Sequence, residues 1–252
     1  MGSKEVHEII KNMGTELNSY KVRKIFTPKE IQDIIINRKK YELKLQRTKK
    51  NLSDCVNYIK HEKKILKKRN KAMEKKCISV EKSDEELLRN IVRIYNRAFN
   101  TFEAKELIKE YADFCIKIGF IEEMKDMLTK QLLKNAKDED LWIFSSRKFW
   151  EVEDIESARN MLMKGMSVVE NKKVMYVEFF KLEVMYADKS ARFNREMGVD
   201  KKDYGEIENG EIAVEMFKEV VQKCTELEVQ QCLRLSKLLP GLRERLKELL
   251  IE

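Results

Sequence analysis

Proline and glycine are scarce, at 2 and 8 in 252 residues. Pro28 and Pro240 lie near the ends of the repeat pattern, so little in the interior would stop a helix, and the chain reads as nearly all α. Only His7 and His61 occur, far apart and without the H-e-x-x-H type of spacing that a metal centre needs. The five cysteines (Cys55, Cys77, Cys115, Cys224, Cys232) are odd in number and include no C-x-x-C pair. They read as reduced, small core residues of an intracellular protein. There is no apolar run of about 18 residues and no apolar signal core at the N-terminus, so a soluble, unsecreted chain without a membrane partner is expected. A phosphate-cradling glycine loop and a G-x-S-x-G elbow are missing, and acidic pairs such as Glu85-Glu86 and Glu122-Glu123 suit solvated helix starts. The sequence therefore points away from an enzyme: no catalytic set, no metal, no cofactor and no small-molecule substrate are expected.

Charge is plentiful, at 38% of residues, with a net excess of +8. The excess is local. Residues 38–76 hold 16 Lys/Arg against 4 Asp/Glu, which leaves the rest of the chain at about −4. Lys60, Lys63, Lys64, Lys67, Lys68, Arg69 and Lys71 are the densest part, and Lys60, Lys64, Lys67, Lys68 and Lys71 recur at spacings that put them on one helix face. Such a face suits a phosphate backbone, an acidic partner or a nuclear-targeting receptor, or is an ordinary solvated surface in which Glu62 and Glu74 are interspersed.

The middle of the chain repeats. Segments beginning at Leu107, Leu141 and Met175, 34 residues apart, align without gaps. The first and third place Leu107, Tyr111, Phe114 and Met175, Phe179, Leu182 on one helical face; the second has Ser145 and Lys148 there and must pack differently. A second helix type carries apolar or small residues at offsets 0, 3, 4 and 7: Ile91, Ile94, Tyr95, Ala98; Met124, Met127, Leu128 with Gln131 as the exception; Ala158, Met161, Leu162, Gly165; and Ala213, Met216, Phe217, Val220. Small residues at the last offset allow a close neighbour. The 12 methionines, Met127 and Met161 among them, fit core packing. A helix pair repeating at this period is too thin to bury its own apolar stripe and must stack on its neighbours, so the expected fold is an all-α solenoid of antiparallel helix pairs with Tyr111, Trp142 and Tyr176 buried between layers.

Before the repeats, residues 4–20 form an amphipathic pattern with Val6, Ile9, Ile10, Met13 and Leu17. Thr27-Pro28-Lys29-Glu30 is a capping-box start, a further helix begins near Ser53-Asp54, and Ser83-Asp84-Glu85-Glu86 caps the next. The divisions expected are 1–82 for N-terminal helices with the basic segment, 83–225 for the repeats and 226–252 for C-terminal capping helices interrupted at Pro240-Gly241. From Ala187 to Gly210 a helix extension and then a surface loop are expected.

Leu141-Trp142, Tyr176 and Glu183 in the first helix type, and segments 94–99 (with Arg97) and 158–166 (with Arg159) in the second, resemble half-a-TPR (HAT) repeats. The N-terminal order IFTPKEIQDIIINRKKYELKLQR, DCVNYIKHEKKILKKRNKAMEKK and IVRIYNRAF resembles the HAT subunit of the small-subunit processome, the U3 small nucleolar RNA-associated protein family of the UTP-B subcomplex. The likeness continues through YADFCIKIG, LWIFSSRKFWEVEDIESARNMLMKG and VEFFKLEVMYADK, to about residue 225. It implies a non-catalytic nucleolar scaffold for processing pre-18S ribosomal RNA. The implied partners are other UTP-B subunits, β-propeller proteins among them, with U3 snoRNA or pre-rRNA. It also makes Tyr111, Trp142, Tyr176, Glu183, Arg97 and Arg159 repeat-defining positions. Phe149 and Lys130-Gln131 depart from the repeat pattern, and the chain ends where family members continue with further repeats, so a shortened member is expected. HAT scaffolds of mRNA splicing or 3′-end processing, and a direct RNA-binding protein, are the alternative readings.

Overall fold

The computed structural model of the chain describes residues 13–251. Within these there are twelve α-helices and three short 3-10 turns, and no strand. We number the helices α1 (Gly14–Val22), α2 (Pro28–Leu45), α3 (Leu52–Lys75), α4 (Glu85–Thr101), α5 (Glu106–Ile118), α6 (Ile121–Lys134), α7 (Glu139–Glu151), α8 (Ile155–Val168), α9 (Lys172–Glu196), α10 (Glu211–Lys223), α11 (Glu226–Leu235) and α12 (Leu242–Glu248). The architecture is the all-α solenoid pattern of consecutive packed pairs: α3 on α4, α7 on α8, α9 on α10. The chain divides into two compact units, one to Met124 and one from Lys125, with the division inside α6. None of the described helices is long and apolar enough to cross a membrane.

Local chemistry explains the helix starts. Thr27 Oγ1 accepts the Glu30 N–H at 3.2 Å, Glu30 Oε2 accepts the Thr27 N–H at 2.8 Å, and Pro28 occupies the first turn, where its missing N–H costs nothing. Asn51 caps α3 by accepting the Ser53 N–H at 2.9 Å. The start expected at Ser83 differs. A 3-10 turn over Lys82–Asp84 precedes α4, Asp84 takes the Glu81 N–H at 2.9 Å, and Ser83 donates to Ser19 instead. Arg23 Nη1, 2.9 Å from Asp84, and the nearby Arg69 hold that carboxylate in the interior. Of the pattern expected over residues 4–20, Val6, Ile9 and Ile10 lie outside the described residues, and the helix is seen from Gly14.

The repeat pattern predicts burial well. Ile91, Ile94, Tyr95 and Ala98 of α4 are fully buried, as are Met124 and Leu128 of α6, Ala158 of α8, and Ala213 and Phe217 of α10. Leu107, Tyr111 and Phe114 of α5 and Met175, Phe179 and Leu182 of α9 are buried too. Met161 and Met216 are only half-buried. As its sequence demands, α7 packs differently. Buried Ser145 returns its hydroxyl to Leu141 O at 2.7 Å, and Ser146 donates to Ala158 O of α8 at 3.0 Å, which requires a close approach of the two helices. Gly165 of α8 lies against Trp142 and Met175 with no room for a side chain. Past Tyr186, α9 continues to Glu196 before a loop that ends at Gly210, whose positive φ of 73° favours glycine. In the unit from Lys125, α11 and α12 add Val229, Leu233, Leu242 and Leu246 to a core around Phe180 and Phe217.

Candidate nucleic-acid interface

The basic segment becomes α3, a helix with two chemically opposite faces. Its buried stripe is Cys55, Tyr58, Ile59, Glu62, Ile65, Arg69 and Met73, at helical spacing. Two of these seven are charged, and each is compensated inside the unit. Arg38 of α2 sits between Glu16 of α1 and Glu62 of α3, all three without solvent exposure. Its Nε donates to Glu62 Oε1 at 3.0 Å and Nη2 to Glu62 Oε2 at 2.8 Å; Nη1 and Nη2 donate to the two Glu16 oxygens at 3.0 and 3.1 Å. Burial pushes the Glu16 carboxyl up, with Arg38 pulling against it. The second charged residue, Arg69, donates through Nη1 to the Asp84 carbonyl at 2.7 Å.

These positions correct two sequence expectations. Glu62 belongs to the core and not to the solvated face, and Arg69 is buried and engaged, so it does not stand with the outward-facing lysines. Both sit on the apolar stripe because a buried arginine or glutamate is tolerable only where an opposite charge meets it. Within residues 38–76 the buried charges are Arg38, Glu42, Glu62 and Arg69, which cancel. The surplus of 12 thus remains on the surface.

Lys60, Lys64, Lys67, Lys68 and Lys71 are all exposed, and Lys75 continues the row four residues on. Among the described residues none of these six makes an ion pair. Lys75 belonged to the same basic run, and its helical phase would have added it. Lys63 has a different role: its Nζ donates to Tyr95 Oη at 2.8 Å and Glu110 Oε1 at 2.7 Å, and lies 4.9 Å from the Phe114 ring centre. It clasps α3 to α4 and α5. Burial would raise the Glu110 carboxyl, yet the Lys63 hydrogen bond and charge hold it below the usual range. On the other flank Glu30, lowered first by the Thr27 N–H, also feels Lys68. His61 is half-buried beside the row, and burial depresses its imidazole.

The repeat-defining residues form two arginine–glutamate pairs at helix junctions. Arg97 of α4 meets buried Glu42 of α2 at 2.6 Å, and Arg159 of α8 meets buried Glu183 of α9 through two contacts of 2.6 Å. The Glu183 hydrogen bonds raise the Arg159 guanidinium further. Tyr111 is fully buried, and Trp142 is buried with its indole N–H donating to Ala136 O at 2.7 Å. Tyr176 corrects its expectation. It is half-buried, with Lys223 lying 5.3 Å from its ring centre, and the core place beside it is taken by Met175.

Residues 5–94 match the family model of U3 small nucleolar RNA-associated protein 6. That match takes in all of α1 to α3, hence the ion cluster and the lysine row. The chain is also 27% identical over 230 residues to the human U3 small nucleolar RNA-associated protein 6 homolog, and 25% identical over 230 residues to that of Mus musculus; each alignment covers 86% of this chain and 38% of the relative. The Schizosaccharomyces pombe U3 small nucleolar RNA-associated protein 6 is 25% identical over 178 residues, 69% of this chain and 36% of its own. The chain thus spans well under half the length of the curated relatives it matches.

Proposed function

We propose that the chain is a non-catalytic, HAT-type scaffold of ribosome biogenesis that works in the nucleolus on pre-18S ribosomal RNA. In this reading it belongs to the UTP-B part of the small-subunit processome, and β-propeller subunits are among its partners. The exposed lysines of α3 rest on the phosphate backbone of U3 snoRNA or pre-rRNA. The observation that carries the proposal is the family match over residues 5–94, because it covers the helix that bears the lysine row. A row of unpaired lysines attracts phosphates and reads no base sequence, which suits a scaffold held on RNA by protein partners. On this view the N-terminal helices to residue 82 serve RNA, the helices of 83–225 serve protein partners, and the segment from 226 covers the last repeat.

Affinity purification from cells with mass spectrometry tests the assembly: processome subunits are expected, and a set of splicing or 3′-end-processing proteins in their place refutes it. For the RNA contact, Lys64, Lys67, Lys68 and Lys71 are reversed to Glu and a single-stranded RNA is titrated at two salt concentrations, with nucleolar localisation scored in parallel. Each lost phosphate contact lowers the salt slope by about 0.7 on a single strand, so a fall approaching 3 is expected. Parent values of affinity, slope and localisation would make the row an ordinary solvated surface.

A further inference from the structure

We propose that the groove between α3 and α5 docks an amphipathic peptide segment of a protein partner, with acidic side chains flanking its aliphatic anchors. The groove is open and encloses about 880 Å³, which lies in the range of ligand-binding clefts. Half-buried Leu66 of α3, Leu88 of α4 and Ile118 of α5 supply an aliphatic floor. The Lys63 clasp to Glu110 stands within it. From Lys63 to Glu74 the α3 wall is about 16 Å long, enough for three turns of a docked helix. Helix-in-groove recognition needs those elements: an apolar floor for anchors at every third or fourth residue, and a charged rim that selects the partner.

The rim charges choose the occupant. Lys67 and Lys71 on α3 and Lys117 on α5 line the groove without ion-pair partners among the described residues. Among the lining acids, Glu110 is taken by Lys63 and Asp113 is already engaged, which leaves Glu74 as the counter-charge. With Glu74 set against Lys67, Lys71 and Lys117, a neutral or basic segment would leave a net excess of two positive charges on the rim, whereas an acidic one pairs it. The floor argues against nucleic acid here. Its aromatic residue, Phe114, is buried beneath the Lys63 ammonium, so no ring is open for a base to stack on. This inference shares Lys67 and Lys71 with the RNA reading but does not rest on it, since Lys60, Lys64 and Lys68 of that row are not part of the groove lining.

The test is a display selection of 12-residue random peptides on the folded chain. Binders are expected to carry Leu, Ile or Met at helical spacing together with Asp or Glu. Ile118→Glu, with circular dichroism confirming the fold, should weaken them by about tenfold or more. Lys67→Glu with Lys71→Glu alters only exposed side chains, should weaken the same peptides about tenfold, and should yield Lys/Arg-rich binders on reselection. Lys60→Glu with Lys64→Glu should leave the peptides' affinity within about twofold, whether or not it weakens RNA binding. The proposal is overturned by a selection that enriches nothing, or by binders insensitive to both groove variants. It is also overturned if a 12-mer oligouridylate loses affinity on Ile118→Glu, since RNA would then occupy the groove.

Discussion

Replacing Gly165 by alanine sets two effects against each other. In a helix interior the change gains about 1 kcal/mol from propensity alone. At this position, however, an added Cβ would overlap Met175 Cε and stand 3.0 Å from Trp142 Cγ and 3.1 Å from Trp142 Cβ. The methionine methyl can swing away. The tryptophan cannot, because its Cβ is fixed to the α7 backbone and its indole is pinned to Ala136 O at 2.7 Å. Overpacking of this kind costs about 1–3 kcal/mol, so the net expectation is a loss of about 1 kcal/mol for Gly165→Ala and about 3 or more for Gly165→Leu. Trp142 and Trp150 both lie in the unit that begins at Lys125, so tryptophan fluorescence during urea denaturation reports that unit. Gly198→Ala is the control in the same unit: its φ of 78° penalises a side chain although nothing lies within 4 Å, so it should cost about 1 kcal/mol without any clash. A Gly165→Ala protein more stable than the parent would refute the close packing of α7, α8 and α9.

Arg38→Met leaves two buried carboxylates facing each other and should destabilise the N-terminal unit by about 3–5 kcal/mol in a chemical melt, whereas replacing Glu16, Arg38 and Glu62 together by apolar residues should recover most of that loss. If the single variant unfolds at the parent's urea midpoint, the cluster is not structural. The Lys63 clasp makes a pH prediction. Because the folded Glu110 carboxyl is lowered, its stabilisation is present above the ordinary glutamate pKa and is lost as pH falls through the lower folded value. Glu110 is half exposed, so the effect should stay below about 1 kcal/mol, and Glu110→Gln should remove that portion of the acid-side slope between about pH 3 and 5.

Most of the helical framework was legible in the sequence because burial follows spacing. The offsets that group Ile91, Ile94, Tyr95 and Ala98 need only a helical period to be read as a core. Thr27-Pro28-Lys29-Glu30 announces a helix start through bonds made within four residues. A count of charge along the chain places Glu62 and Arg69 with the lysines, whereas helical phase puts both on the stripe of Tyr58, Ile65 and Met73. Asp84 could not have been placed, since its inward turn depends on Arg23, 61 residues away. Similarly, the lysine row was visible as a pattern, but the loss of Lys63 from it depends on Tyr95 and Glu110 arriving from other helices. The groove has no local signature at all, because three helices supply its floor.

Six like charges, none of them in an ion pair among the described residues, give α3 a built-in tension. Lys60–Lys64, Lys64–Lys67, Lys64–Lys68, Lys67–Lys71, Lys68–Lys71 and Lys71–Lys75 are neighbours at three or four residues, and each such pair opposes the helix by about 0.2–0.5 kcal/mol at low salt. The free protein is therefore loaded like a compressed spring along one face, while the core beneath it is electrically closed. Ordinary salt relaxes this repulsion by screening, so added salt should stabilise this helix, whereas it weakens surfaces held by ion pairs. A polyanion laid along the row would relieve the same repulsion on contact, returning the energy of that tension as part of its own binding free energy.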